Sequence, residues 1–279
     1  MPKENEILTK TISRRLSSLA SELKVSYETV LPYFLLERLA LRIVAVPFLH
    51  SQLVFKGGYV GLRVYRSPRV TVDLDALLRN GTPSEIQPIL IRAVESEIDD
   101  GVWFRFDSDQ DLKTLGEYPG RRLLFRSGIG EVPDDLRRNR MIHLDLGIGD
   151  DVVPAPRDER TPFLLGGGAL SWKVYPIETI CSEKLHTLVV RGSGNSRSKD
   201  IYDLNLFLSK CDPALLKKAL KATFRCRGDS MPKDLVKVIE GIDTRLIARG
   251  WKSTVVGMAK PDTFEQAMQN LIGALKRLI

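Results

Sequence analysis

The sequence predicts an α+β protein, with helices layered on a mixed sheet. Helical periodicity dominates the first fifty residues, strand-like alternation dominates the region that follows, and helical periodicity returns beyond about residue 165. Strands and helices that interleave in mid-chain favour an α/β layered core. We therefore expect a core with leading helices at residues 1–165 and a helical C-terminal domain at residues 166–279.

The first two helices follow from the spacing of apolar residues. One run is Ile7, Ile12, Leu16 and Leu19, and a second is Leu31, Leu35, Leu39 and Ile43. Ser26 lies between them and is a favourable N-cap residue, because its hydroxyl can accept a hydrogen bond from the first helical turn. The pattern predicts two amphipathic helices that are separated near Ser26.

The remaining elements alternate between the two periodicities. Strands are expected at 53–55, 70–78, 102–106, 122–126 and 141–148, with one helix at 83–98. After a turn-rich region at 150–168, helices are expected at 176–190, 199–209, 213–224, 232–249 and 263–278.

Composition narrows the class of protein. Hydrophobic residues make up 43% and charged residues 28% of the 279 residues, and charges interrupt the apolar stretch at 30–54, so we expect no membrane span. The first residues are polar and charged and include no apolar h-region, so we expect no signal peptide. The three cysteines, Cys181, Cys211 and Cys226, lack metal-ligand spacing. These features favour a reducing, cytoplasmic location.

The chain is basic, with a formal charge of +7 and a sequence pI near 9.3. Arginine-rich stretches occur at 121–122, 137–140 and 191–199. Each stretch alone is explained by a solvated surface, but their sum favours a polyanionic partner such as nucleic acid, because Lys and Arg neutralise phosphates.

A glycine pair follows the first predicted strand. Gly57 and Gly58 precede a short predicted helix at 60–65, and such a turn presents free backbone N–H groups to an anion. No Gly-Lys-Ser/Thr ending follows, which argues against a P-loop, and a third glycine for a dinucleotide-binding fingerprint is missing. A plain turn remains the alternative.

Two carboxylates occupy the next predicted strand. Asp73 and Asp75 share one face with Thr71 because strand side chains alternate. Like charges this close repel each other, and a cation between them removes the repulsion. Oxygen ligands favour Mg²⁺ or Mn²⁺ over zinc. The alternative is that both residues lie on the solvent side of an edge strand.

Asp145 is expected to join this pair. It shares a face with His143 and Gly147 on a later strand, whose other face is apolar. A third acid completes the coordination of a metal or accepts a proton from an attacking hydroxyl. An exposed strand aspartate is the alternative for Asp145. His143 is interpreted as a face residue rather than a zinc ligand, because no second His or Cys lies at ligand spacing.

Lys184 breaks the pattern of a predicted helix, since it lies on an otherwise apolar stripe formed by Ile177, Ile180, Cys181, Leu185 and Leu188. Burying an unpaired ammonium is costly, so either the side chain reaches the surface or the stripe faces a site that holds anions. We favour the second interpretation.

Asp200 and Asp203 lie three residues apart on one side of the next predicted helix. Helix capping explains Asp200 fully, whereas Asp203 lies further inside the helix and is less easily explained in this way.

Four motifs in order resemble those of the AbiEii family, the nucleotidyltransferase-like toxins of type IV toxin–antitoxin systems, which include the mycobacterial MenT toxins. The resemblance rests on Phe-Lys-Gly-Gly at 55–58, Arg-Val-Thr-Val-Asp-Leu-Asp at 69–75, Glu-Lys-Leu at 183–185 and Arg-Ser-Lys-Asp-Ile-Tyr-Asp-Leu at 197–204. It implies a polymerase-β-like nucleotidyltransferase core with a helical C-terminal domain, which uses magnesium and a nucleoside triphosphate (NTP).

The resemblance also implies roles for individual residues. Asp73, Asp75 and Asp145 would be catalytic and hold the metal, and Lys184 with Asp200 or Asp203 would complete the catalytic site. Nucleotide binding would use Lys56, Gly57, Gly58, Tyr59, Arg69 and Lys184. Tyr59 stands where the family usually has Ser or Thr, so phosphate binding would rely on backbone N–H groups, or Tyr59 would stack on a base.

The function expected from these features is transfer of a nucleotide from an NTP to an acceptor hydroxyl, with the tRNA 3′ end as the acceptor and inhibition of translation as the result. A cognate antitoxin is the expected protein partner. One alternative is nucleotide transfer to a protein or small molecule. Another is a non-catalytic nucleic-acid-binding module.

Overall fold

A computed structural model describes residues 2–112, 120–258 and 260–279, with side chains from residue 5 onward. Its described strands form one mixed sheet in the order β3-β4-β5-β2-β1-β7-β6. The strands are β1 Leu53–Lys56, β2 Asp73–Leu78, β3 Val102–Asp111, β4 Gly120–Ile129, β5 Arg140–Ile148, β6 Arg157–Pro162 and β7 Ala169–Val174.

Two parallel pairings give the sheet its mixed character. β2 lies parallel to β5, and β1 lies parallel to β7, whereas the other neighbours are antiparallel. Leu74 and Ala76 on β2 and Leu144 and Leu146 on β5 are buried in the core, so the alternating residues between them share the opposite face. The α+β class with a mixed sheet is confirmed.

Helices cover the apolar side of the sheet and form the C-terminal half. They are α1 Pro2–Leu23, α2 Tyr27–Val44, α3 Pro47–Gln52, α4 Gly57–Arg63, α5 Pro83–Val94, α6 Ile177–Arg191, α7 Ser198–Phe207, α8 Pro213–Cys226, α9 Leu235–Glu240, α10 Arg245–Arg249, α11 Trp251–Thr254 and α12 Phe264–Leu278. None of the helices in the described part of the chain combines the length and apolar content that crossing a membrane requires.

The predicted start of the second helix is confirmed. The Ser26 side chain accepts a hydrogen bond from the Thr29 N–H, which satisfies one of the free donors of the first turn of α2. In contrast, the single helix predicted at 232–249 is wrong, because α9 and α10 are separate. Gly241 follows α9, and the Asp243 carboxylate accepts a hydrogen bond from the Arg245 N–H at the start of α10.

β6 and β7 are absent from the sequence prediction, which assigned residues 150–168 to turns and gave no element to residues 169–175. The β6 sequence Arg-Asp-Glu-Arg-Thr-Pro lacks apolar alternation, and β7 follows three consecutive glycines at 166–168. β7 does alternate, since Leu170, Trp172 and Val174 are buried. The expected boundary near residue 165 lies in the turn between these two antiparallel strands, so the sheet continues beyond it.

β2 begins later than predicted. Val70 and Val72 are each 47% exposed and precede the strand, which starts at Asp73. Although the β-branched pattern at 70–78 predicts one continuous strand, pairing with β5 begins only at Asp73 and pairing with β1 only at Asp75. The segment before β2 therefore lies outside the sheet.

Candidate active site

A polar cavity of about 690 Å³ opens where the sheet meets α6 and the start of α7. Its walls come from the β1–α4 junction, from β2, β4 and β5, and from these two helices. The residues from the sequence prediction that line it are Lys56, Gly57, Gly58, Arg69, Asp73, Asp75, Asp145, Lys184 and Asp200. Segments that are far apart in the chain therefore meet in one place.

The register of β2 and β5 places three carboxylates at the cavity. Asp73 lies opposite His143, and Asp75 lies opposite Asp145 on the parallel neighbour. His143 Nδ1 is 3.0 Å from Asp73 Oδ1. Arg122 donates two hydrogen bonds to Asp145, with N–O distances of 2.7 and 2.6 Å. Asp75 makes no ion pair or hydrogen bond with another side chain in the described part of the structure.

Charge repulsion is concentrated on Asp75. Burial, and then the carboxylates of Asp145 and Asp73, raise the pKa of Asp75 to about 6. Burial also acts to raise the pKa of Asp73, but the hydrogen bond and charge of His143 outweigh it and leave this pKa below its usual range. A cation at Asp75 would relieve this repulsion.

The donor set fits magnesium held together with its substrate. Proteins commonly bind Mg²⁺ through one or two carboxylates, substrate phosphates and water, and Asp73 and Asp75 supply two such carboxylates on one strand face. No group of three His, Cys, Asp or Glu residues within 2–112, 120–258 and 260–279 is arranged to hold a metal through protein ligands alone. The predicted third ligand, Asp145, is engaged by Arg122, which uses one lone pair on each of its carboxylate oxygens.

The glycine pair lies directly against the carboxylates. α4 begins at Gly57, three residues earlier than predicted, and Gly57 has φ +71°. A Cβ atom on Gly57 would lie 2.0 Å from Asp75 Oδ2, and one on Gly58 would lie 2.7 Å from Thr71 Oγ1. Glycine is therefore required at Gly57 both for backbone conformation and for the approach of the chain to Asp75.

Lys56 is held by two acids from distant segments. Its Nζ lies 3.0 Å from Asp150 Oδ2 and 3.3 Å from both carboxylate oxygens of Glu183. Arg227 approaches the same acids, with Nε 3.1 Å from Asp150 Oδ1 and Nη2 3.5 Å from Glu183 Oε1. Burial opposes the charge of Lys56, but Glu183, Tyr175 and Asp150 outweigh it and raise its pKa well above the usual range. Lys56 is therefore a fixed positive charge.

Lys184 is mostly buried, with 12% of its side chain exposed at the cavity, and it is held by acidic partners. Its Nζ lies 2.6 Å from Asp200 Oδ1 and 2.9 Å from Asp203 Oδ2. Arg69 donates two hydrogen bonds to Asp203, at 3.0 and 3.1 Å, and Arg197 Nε lies 2.7 Å from Asp200 Oδ2. Burial acts to lower the pKa of Lys184, but Asp200 and Asp203 raise it overall. Asp203 thus lies behind the cavity wall and joins Lys184 to Arg69.

The structure does not bring Tyr59 to the cavity. Its side chain is fully buried, its ring centroid lies 5.9 Å from that of Trp172, and its hydroxyl donates a hydrogen bond to the Tyr33 carbonyl at 3.0 Å. Because Tyr59 faces the core side of α4, stacking on a nucleotide base is not available to it. This placement leaves the backbone N–H groups of Gly57 and Gly58 as the candidates for phosphate contact.

Several cavity residues were missed by the sequence prediction: Arg122, Asp150, Glu183, Lys199 and Arg227. Only Glu183 and Lys199 carry a local signal, because both lie inside motifs already singled out. Lys199 is exposed and makes no ion pair among the described residues. The other three are recognised only through partners that lie far away in sequence.

Comparisons with known proteins agree with this architecture. The sequence profile of the family described as "Nucleotidyl transferase AbiEii toxin, Type IV TA system" matches residues 39–270. The fold is similar to that of MenT4, a nucleotidyltransferase toxin from Mycobacterium tuberculosis H37Rv, with 17% identity, a TM-score of 0.54 and coverage of 94% of this chain and 98% of that chain.

A Helicobacter pylori protein, provisionally named a nucleotidyltransferase, is similar at 18% identity with a TM-score of 0.51, covering 91% of this chain and 96% of that chain. No curated protein sequence matches the chain. The family profile covers well over half of the residues, and both structural matches share the fold. The chain belongs to the AbiEii family of nucleotidyltransferase toxins.

Proposed function

We propose that this chain transfers a nucleotide from an NTP to the 3′-terminal hydroxyl of tRNA and thereby inhibits translation. The observation that carries the proposal is Asp75, a carboxylate that lies beside Asp73 and Asp145, against the Gly57 turn, and makes no ion pair within the described part of the chain. Burial and the neighbouring carboxylates raise the pKa of Asp75, which supports the proposal that a cation binds at this point. Membership of a nucleotidyltransferase toxin family supports the same chemistry.

The acidic wall would hold the reacting groups. Asp73 and Asp75 would bind magnesium, which when bound would neutralise phosphate charge and hold the triphosphate beside the acceptor. The acceptor oxygen forms a bond to the α-phosphorus while the bond from that phosphorus to the leaving phosphate oxygen breaks, and pyrophosphate departs. Asp145 would take the hydroxyl proton after Arg122 has released its carboxylate.

The basic groups would bind and orient the triphosphate. Backbone N–H groups at Gly57 and Gly58 are the candidates for phosphate contact, because the first N–H groups of a helix lack intrahelical partners. Lys199 faces the cavity and makes no ion pair with the described residues, so it is available to a phosphate. Lys56 and Lys184 add fixed positive charge, and Asp200 and Asp203 position Lys184 and Arg69.

The partners follow from the same proposal. The formal charge of +7 suits a polyanionic acceptor such as tRNA. The family name places the chain in a type IV toxin–antitoxin system, so a cognate antitoxin protein is the proposed regulator. We place the reaction in the cytoplasm, where tRNA and NTPs occur together.

The proposal is tested by following label from each α-labelled NTP into total tRNA in the presence of magnesium. We expect one or more nucleotides to label tRNA on a denaturing gel. In Asp75→Ala, labelling should fall by about 100-fold or more, because electrostatic stabilisation of the transition state is lost. Omission of magnesium should have a comparable effect on the wild-type protein.

Two outcomes would contradict the proposed acceptor. Label that appears in protein or in a small molecule instead of RNA would support nucleotide transfer to another acceptor class. Absence of magnesium-dependent NTP binding in the wild-type protein would support a non-catalytic nucleic-acid-binding module. An Asp75→Asn variant that folds like the wild type distinguishes loss of chemistry from loss of structure.

A further inference from the structure

α8 carries a row of cations along its exposed side. Lys217, Lys218, Lys221 and Arg225 are all exposed, and at 100° per residue they lie within one arc of the helix surface. The opposite side is apolar and buried, with Leu216, Leu220 and Phe224 in the core. This set of four cations is called the α8 basic face.

The charge of the α8 basic face is largely uncompensated. Lys217, Lys218 and Lys221 make no ion pair with the described residues. Arg225 has one partner, Asp151, at 3.3 Å, and this pair is 77% and 50% exposed, so solvent screens it strongly. The helix contains no acidic residue between Pro213 and Cys226. A row of like charges on a helix destabilises it slightly, so the pattern is unfavourable unless an anion binds there.

The α8 basic face ends at the cavity. The C-terminal end of α8 contacts the segment after β5, because Cys226 Sγ lies 2.8 Å from the Gly149 carbonyl oxygen. Arg227 lies two residues after Arg225 and lines the cavity. Its Nε donates a hydrogen bond to Asp150 Oδ1 at 3.1 Å. Asp150 also accepts a hydrogen bond from Lys56, which lies beside the glycine turn. Arg225, Arg227 and Lys56 therefore form a line of cations from the helix surface to the cavity, in which Asp150 and Glu183 pair with Arg227 and Lys56.

The orientation of α8 is fixed by packing against α6. Ser182 Oγ and Thr223 Oγ1 are 2.8 Å apart and buried, and the rings of His186 and Phe224 meet at 4.8 Å between centroids. α6 itself supplies Glu183 and Lys184 to the cavity. The α8 basic face is thus rigidly positioned relative to the site, as a docking surface requires.

We propose that the α8 basic face binds the phosphodiester backbone of the RNA acceptor and guides its 3′ end into the cavity. This inference rests on the proposed function and names how that site recognises its partner. From Lys217 to Arg225 the helix rises about 12 Å, which corresponds to roughly three to four stacked base pairs. Binding through backbone phosphates would be independent of RNA sequence.

The closing experiment measures binding separately from catalysis. Fluorescence anisotropy with a labelled tRNA transcript, over a range of salt concentrations, compares the wild type with K217Q/K218Q/K221Q. We expect the affinity to fall about 10–100-fold at about 0.15 M salt, and the slope of log affinity against log salt to shrink by about 0.9 per lysine. The arginine variant K217R/K218R/K221R should retain wild-type affinity, because it keeps the charges.

A matched control removes the same charge elsewhere. Lys233, Lys237 and Lys252 are exposed, lie outside α8 and make no ion pair with the described residues. K233Q/K237Q/K252Q should retain nearly wild-type affinity and salt slope. An equal loss in this control, or no loss in the α8 variant, would overturn the proposal. In the second case, an acidic protein surface would be the better candidate for the α8 basic face.

Label transfer separates this proposal from the proposed function. A short RNA oligonucleotide with the same 3′ end is too short to reach the α8 basic face, so the α8 variant should label it at the wild-type rate and lose efficiency only with full-length tRNA. If the wild type labels neither RNA, the proposed function is wrong, whereas the anisotropy result still decides whether the α8 basic face binds RNA.

Discussion

On the sheet side of the cavity, Asp75 lies between two other carboxylates and makes no ion pair with the described residues, whereas on the helical side Lys184 contacts two acids at once. On the sheet side, burial and then the carboxylates of Asp145 and Asp73 raise the pKa of Asp75 to about 6. On the helical side Lys184 is compensated, and Asp200 and Asp203 raise its pKa despite burial, whereas Lys199 on the same side makes no ion pair with the described residues.

This difference separates two kinds of charged residue in one cavity. Charges that serve the architecture are matched by partners inside the protein, because an unmatched buried charge costs several kcal/mol. Asp75 has no such partner among the described residues, and under the proposed function it would be matched only when a cation binds. Substitutions on the two sides should therefore change stability in opposite directions.

The largest effect is expected on the helical side. Lys184→Met should lower the free energy of unfolding by about 3–5 kcal/mol, because it leaves Asp200 and Asp203 buried without their shared cation. Urea denaturation monitored by circular dichroism measures this loss. Lys199→Met is the matched control, since Lys199 makes no ion pair with the described residues and its loss should change stability by less than about 0.5 kcal/mol. Equal losses of unfolding free energy in Lys184→Met and Lys199→Met would contradict the distinction between matched and unmatched charges.

The junction between the two sides is tested at Gly57. Gly57→Ala should reduce label transfer by about 100-fold, because its Cβ would displace Asp75 and its φ of +71° strains any side chain. Gly167→Ala is the control: its φ is +81°, but nothing lies within 4 Å of the added Cβ. The Gly167→Ala variant has similar backbone strain, but its Cβ clashes with no other side chain. Similar activity in both variants would show that Asp75 tolerates displacement.

The smallest effect is a gain of stability on the sheet side. The pKa of Asp75 is about 6 in the folded state and 3.8 ordinarily, so the folded state binds the proton more tightly. Stability from this group is therefore present below about pH 4 and is lost as pH rises through about 6. Without magnesium, Asp75→Asn should be more stable than the wild type by about 2–3 kcal/mol at pH 8, with little difference at pH 4.

Chemical denaturation with a chelator present, at both pH values, measures this difference. Added magnesium and NTP should stabilise the wild type and not Asp75→Asn, because only the carboxylate attracts the cation. A variant that is less stable than the wild type at pH 8 would contradict the view that Asp75 is electrostatically strained. It would also weaken the contrast between the two sides of the cavity.

Local patterns in the sequence were sufficient for much of the fold. Alternation on β2 and β5 predicted which face carries Asp73, Asp75 and Asp145, and helical periodicity identified Lys184 as out of place. Both predictions depend only on neighbours within one element, where period and side-chain direction are fixed by geometry. The cap at Ser26 was predictable for the same reason.

Local sequence patterns could not predict which residues that lie far apart in the chain would contact each other. Lys56 and Asp150 are separated by 94 residues, and the pair between Arg69 and Asp203 spans 134. Tyr59 follows the glycine pair in sequence, yet the turn of α4 directs it toward Trp172. β6 was missed because its polar residues carry no strand periodicity, although pairing with β7 holds it in the sheet. Only the tertiary arrangement contains this information.

The cavity draws its lining from Lys56 through Arg227, and this span has a consequence for synthesis of the protein. Lys184 and Asp200, which complete one side of the cavity, leave the ribosome long after Asp73 and Asp75. No shorter N-terminal fragment contains a whole site. If the cavity is the site of nucleotide transfer, as we propose, a growing chain has no complete site until Arg227 has been synthesised and has folded into place.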